Sequence, residues 1–164
     1  MHKIILLIIF LISFNSLKAE VINSLEVTGN KRVSEETVKI YGDIILKDKD
    51  YKEADLNNIL KKLYETNLFE DVQVNLEGNT LKVKLKEYPI IKQLIIVGEK
   101  KKGYVKRIKE TIQLKEKRSL IKSYLASDAE TIRSFYSSIG YNFADVEIKV
   151  KEITQDSFDL LINI

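Results

Sequence analysis

Between Asp55 and Val74 the chain changes its hydrophobic period, and that change limits the folds open to it. Leu56, Ile59, Leu60, Leu63 and Tyr64 recur at i, i+3, i+4, i+7 and i+8, one apolar face of a helix, with Asn57, Asn58, Lys61, Lys62 and Glu65 opposite. From Phe69 onward Val72, Val74 and Leu76 alternate with polar residues, the pattern of a half-buried strand. The same succession returns about 72 residues later. Leu63-Tyr64-x4-Phe69 is echoed by Phe135-Tyr136-x4-Tyr141, and Asp71-Val72 by Asp145-Val146 after a corner two residues longer. The unit's start repeats as well: Ile22-x-x-Leu25-x-Val27-x-Gly29 returns as Ile91-x-x-Leu94-x-Ile96-x-Gly98 at an offset of 69.

The remaining segments fill in a repeated unit. Val21–Val27 reads as a strand that turns at Gly29. Ser34 is an N-cap for a short helix, with Val33 and Val38 as a hydrophobic staple, and that helix stops near Gly42. A second helix follows from about Glu53 to Glu65. Val72–Glu77 and Thr80–Glu87 form a hairpin about Gly78-Asn79, and Pro89 closes the unit. In the second copy, Val105, Ile108 and Ile112 mark a helix, and Ser127-x-x-Glu130 is a capping box opening the next one. Val146, Ile148 and Val150 alternate in one strand, and Phe158, Leu160, Ile162 and Ile164 in the last. The fold class is α+β: two tandem β-α-α-β-β modules, residues 20–88 and 89–164, each a three-stranded mixed sheet covered by two helices.

Composition excludes several chemistries. The chain has no Cys, so it has no disulfide, no thiolate metal site and no cysteine nucleophile. Its single histidine, His2, lies in an N-terminal stretch with the marks of a secretory signal: Lys3, the apolar run Ile4–Ile12, and a cleavage point between Ala19 and Glu20. Without residues 1–19 the chain has 25 basic against 24 acidic residues, well mixed, which is no nucleic-acid footprint. The basic stretches Lys100–Lys102 and Lys115–Arg118 read as solvated loops. Neither an enzyme site nor a cofactor site is expected, and export from the cytoplasm is.

Taken in order, Leu25-Glu26-Val27-Thr28-Gly29-Asn30-Lys31-Arg32-Val33, Leu63–Val72, Ile132–Tyr136 and Gly140–Val146 resemble POTRA domains, the polypeptide-transport-associated modules. Two in tandem behind a signal are similar to the N-terminus of BamA-type outer-membrane assembly factors. That family continues into further repeats and a membrane β-barrel, so the resemblance implies a fragment, or a stand-alone pair, on the periplasmic face of the outer membrane. It implies binding of unfolded outer-membrane β-barrel precursors, a periplasmic chaperone or accessory lipoproteins, with membrane contact only through a barrel. Two-partner-secretion or related translocation transporters and anchored divisome proteins also carry such modules and stay as alternatives.

The implied binding route is β-augmentation, in which an open strand edge accepts an extended segment. In the family the first arm of each hairpin is that edge. The candidate residues are therefore Val72, Gln73, Val74, Asn75 and Leu76, and Val146, Glu147, Ile148, Lys149 and Val150. A groove beside the shorter helix of each module, at Val38 and Tyr41 and at Val105 and Ile108, is expected to accompany it.

Overall fold

The computed structural model describes residues 20–47 and 49–164. The expected signal segment and Ala19 lie outside the described residues. In chain order the elements are β1 (Glu20–Val21), β2 (Ser24–Thr28), α1 (Glu35–Gly42), β3 (Asp50–Tyr51), α2 (Glu53–Glu65), β4 (Phe69–Glu77) and β5 (Thr80–Glu87). They continue as β6 (Ile90–Val97), α3 (Lys102–Thr111), α4 (Tyr124–Ser138), β7 (Glu147–Thr154) and β8 (Ser157–Asn163).

Two three-stranded mixed sheets result, ordered β2-β5-β4 and β6-β8-β7. In each, the last strand lies in the centre, parallel to the first and antiparallel to its hairpin partner. The repeat shows in the register: Leu25 faces Leu81, and its equivalent 69 residues on, Leu94, faces Leu160. Each sheet has its own core. Ile22, Val38, Leu63, Phe69 and Leu81 anchor the first, and Ile91, Ile108, Ile132, Leu160 and Ile162 the second. Burying a side chain of this size contributes about 1.5–3 kcal/mol. Gly29 (φ 81°) and Gly98 (φ 96°) end β2 and β6 in equivalent places, where a Cβ would sit 2.0 Å from the carbonyl oxygens of Leu85 and Ile164. Backbone contact as well as positive φ requires glycine there.

Several local expectations are corrected. The first strand starts at Ser24 rather than Val21, because Asn23 and Ser24 both donate to Asn79 O (2.8 and 3.3 Å) while Lys47 N–H takes Ile22 O at 2.7 Å. Glu20–Val21 pairs instead with Asp50–Tyr51. Ser127 does not open its helix. It lies inside α4, and its hydroxyl donates to Tyr124 O at 3.1 Å. The next residue, Asp128, is fully buried, and its carboxylate accepts the N–H groups of Gln113 and Leu114, both at 2.8 Å. Tyr141 does not replace Phe69. Phe69 is buried, whereas Tyr141 and Phe143 are exposed on the longer corner. Ser34 caps α1 as expected, accepting Thr37 N–H at 3.2 Å.

Only Tyr88 and Pro89 separate β5 from β6. The Glu87 carboxylate accepts the N–H groups of Lys31, Arg32 and Val33 (2.7, 2.8 and 3.0 Å) and pairs with Arg32 Nε at 2.8 Å. Burial works to raise this carboxyl, but the Val33, Lys31 and Arg32 N–H groups and the Arg32 guanidinium outweigh it and hold the group below the usual carboxylate range. Arg32 Nη2 also donates to Tyr88 O at 2.6 Å, and Lys31 reaches Asp156 of the second module at 2.7 Å.

Candidate functional site

The site is a pair of sheet edges, and backbone direction decides which residues belong to it. β4 and β7 each pair on one side only, with β5 and β8. The opposite edges are partly covered. On β6, Ile91 N–H donates to Arg118 O (2.9 Å), Lys117 N–H to Ile91 O (2.7 Å) and Leu120 N–H to Pro89 O (2.7 Å), while the Glu116 carboxylate takes Leu94 N–H (3.0 Å). Lys115–Arg118 thus runs along β6 through its backbone, while Glu116, Lys117 and Arg118 stay exposed to solvent as expected. The bond from Lys47 to Ile22 is its counterpart in the first module, and Lys47 and Lys117 both take positive φ, 72° and 62°.

In an antiparallel pair, residues alternate between bonding their partner and pointing away from it. Ile164 donates to Val97 O at 3.0 Å, across to β6. By alternation Ile162 and Leu160 also face β6, so their partners in β7, Ile148 and Val150, turn their backbones to the open side. In the first module Val72 N–H is bonded away from β5, so Val74 and Leu76 share its direction.

The candidate residues therefore divide. Val74, Leu76, Ile148 and Val150 present backbone N–H and C=O to the open side. Gln73, Asn75, Glu147 and Lys149 direct theirs into the ladders and offer only side chains. Val146 lies just before β7 and is buried. Its carbonyl is taken by Arg133 Nη2 at 2.8 Å. Val72 is also buried, and its N–H donates to the Tyr64 hydroxyl at 3.1 Å. That hydroxyl in turn donates to Asp71 at 3.3 Å. Of the residues expected at a groove beside the shorter helices, Val38 and Ile108 are core residues, whereas Tyr41 is exposed and Val105 lines a concavity beside α3. Sequence reasoning missed Tyr64 and Arg133 as edge contacts and Glu152 as a further outward position on β7.

The outward backbones belong to residues whose side chains turn toward the helices, since Val74, Leu76 and Ile148 pack against the cores. Val150 stays 36% exposed, which leaves apolar surface beside β7. A segment added here would bury alternate side chains and expose the others.

A cleft of about 600 Å³ lies at the module junction. Six of its charged side chains pair with one another: Arg32 with Glu87, Lys31 with Asp156 and Lys86 with Glu70 (2.7 Å).

The POTRA family model, described as "Surface antigen variable number repeat", matches residues 89–164. The second module is a POTRA domain. The N-terminal domain of Omp85 from the cyanobacterium Thermosynechococcus elongatus superposes with a TM-score of 0.55 at 18% identity, covering 87% of this chain and 61% of that one, so the likeness in fold extends over both modules. The outer membrane protein assembly factor BamA of Neorickettsia risticii is 34% identical over 82 residues, which are 50% of this chain and 11% of that protein. BamA of Buchnera aphidicola is 27% identical over 96 residues, 57% of this chain and 16% of that protein. The family match thus rests on the second module, the likeness in fold covers both, and the chain spans less than a fifth of these relatives' length. Among the described residues no helix is long and apolar enough to cross a membrane.

Proposed function

We propose that this chain is the periplasmic POTRA pair of an outer-membrane β-barrel assembly factor, exported by residues 1–19 and divided into binding modules 20–88 and 89–164. Its work is recruitment, not catalysis. Unfolded β-barrel precursors add to β4 and β7 as extended segments, and a periplasmic chaperone and accessory lipoproteins use the same module surfaces. One observation carries the reading: Val74, Leu76, Ile148 and Val150 point their backbones to an open edge, with apolar side chains on the helix side. A barrel strand alternates apolar and polar residues, which matches an edge with one apolar and one solvated face.

A photo-crosslinker placed singly at Asn75, Lys151, Glu26 or Lys92 of the full chain tests this. The probe is a purified outer-membrane β-barrel protein diluted from denaturant. Crosslinks are expected from Asn75 and Lys151, beside the open edges. Equal capture from Glu26 and Lys92, on β2 and β6, contradicts recruitment by β4 and β7.

A further inference from the structure

We propose that Tyr64 and Arg133 are register stops, which fix where an incoming strand begins to pair and make β7 the longer acceptor. The inference rests on edge recruitment as read above. Val72 and Val146 are equivalent positions, one per module: Val72 follows the register shift near the start of β4, and Val146 immediately precedes β7. Both are already occupied by a side chain from the long helix of their own module. In the first, Val72 N–H is held by the Tyr64 hydroxyl at 3.1 Å, and Asp71 orients that hydroxyl. In the second, Tyr136 is the counterpart of Tyr64, but its hydroxyl turns to Glu99 Oε2 at 2.5 Å. Arg133, three residues earlier, takes the carbonyl of Val146 at 2.8 Å, braced by Glu130 at 3.3 Å.

The two modules thus block opposite poles of the same backbone position, one the donor and the other the acceptor. A guest strand that slid past either stop would exchange a bond already made for one of the same kind, with no net gain. Pairing therefore starts at Val74 in the first module and at Ile148 in the second. Beyond the stops the edges differ in length. β4 offers Val74 and Leu76 before its turn at Gly78. β7 offers Ile148, Val150 and Glu152 before its register shift at Thr154. The second module holds a guest over one more outward residue and is the stronger recruiter.

The test is amide NMR of the full chain with a ten-residue peptide of alternating valine and threonine as probe. In the unaltered chain the peptide is expected to shift the amides of Val74, Leu76, Ile148, Val150 and Glu152 and to leave Val72 unmoved. Tyr64→Phe keeps the ring, removes the hydroxyl, and is expected to bring Val72 into the pairing with affinity for the first module raised about threefold. Arg133→Met is expected to extend pairing to Val146. Without peptide, Tyr64→Phe should speed exchange of the Val72 amide about tenfold or more. Binding at the edges with Val72 already paired, or with register unchanged in both variants, overturns the stops while leaving recruitment intact. Tighter binding to β4 than to β7 overturns the ranking of the modules. Binding to neither edge overturns the stops together with the recruitment reading beneath them.

Discussion

Val72 gives its N–H to the Tyr64 hydroxyl at 3.1 Å, away from β5. That one bond sets the direction of every backbone group along β4, because outward and inward residues alternate. Adjacent prolines should then behave differently. Val74→Pro removes an outward donor and is tolerated on an edge, whereas Asn75→Pro removes a ladder bond to β5. Chemical unfolding should show Asn75→Pro less stable than Val74→Pro by about 1–2 kcal/mol. Equal losses would mean that the alternation is assigned the wrong way round.

Gly29→Ala and Gly98→Ala should be costly at both places in the repeat. The new methyl meets Leu85 O or Ile164 O at 2.0 Å, at φ values of 81° and 96°. Positive φ for a non-glycine residue alone costs about 1–3 kcal/mol, and the clash adds to it. Thermal melts of the two variants should show comparable losses. A near-neutral result for either would show that its strand end can shift away.

Glu87 ties β5 to the loop at Lys31–Val33, and its carboxyl is held low by the N–H groups and the guanidinium that outweigh burial. A lowered folded value stabilises fully above the unfolded carboxylate pKa and is lost as pH falls through the folded one. Glu87→Gln should cost about 1–3 kcal/mol at neutral pH. The gap from the unaltered chain should narrow in acid, below the usual carboxylate range. A gap independent of pH would assign the loss to shape rather than charge.

Asp128 holds two backbone N–H groups in the second core. Asp128→Ala orphans both and should cost about 2–4 kcal/mol, with Asp128→Asn costing less because one acceptor oxygen remains. Urea midpoints of the two variants decide this. Equal losses would show that the charge, not the acceptor geometry, matters.

The modular plan was legible in the sequence because periodicity records burial. The helix-to-strand switch at Phe69 and its second copy fixed the order of elements, and Gly29 and Gly98 marked equivalent strand ends. Ser127 misled because a capping-box pattern is local, whereas the helix start at Tyr124 depends on the chain path from Ile121. Tyr141 misled because the longer corner carries it away from the place Phe69 fills. The site was legible only as two stretches of sequence. Which members point outward depends on strand pairing, and Tyr64 and Arg133 reach the edge across 8 and 13 residues, separations that no periodic pattern marks.

Amide hydrogen exchange of the full chain, with and without an alternating peptide taken from a β-barrel strand, decides whether β4 and β7 recruit. Slowed exchange is expected at Val74, Leu76, Ile148, Val150 and Glu152, with Gln73, Asn75 and Lys149 unchanged because their N–H groups are already bonded to β5 and β8. A bound peptide that slows exchange along β2 and β6, or at neither pair of edges, would contradict recruitment by β4 and β7.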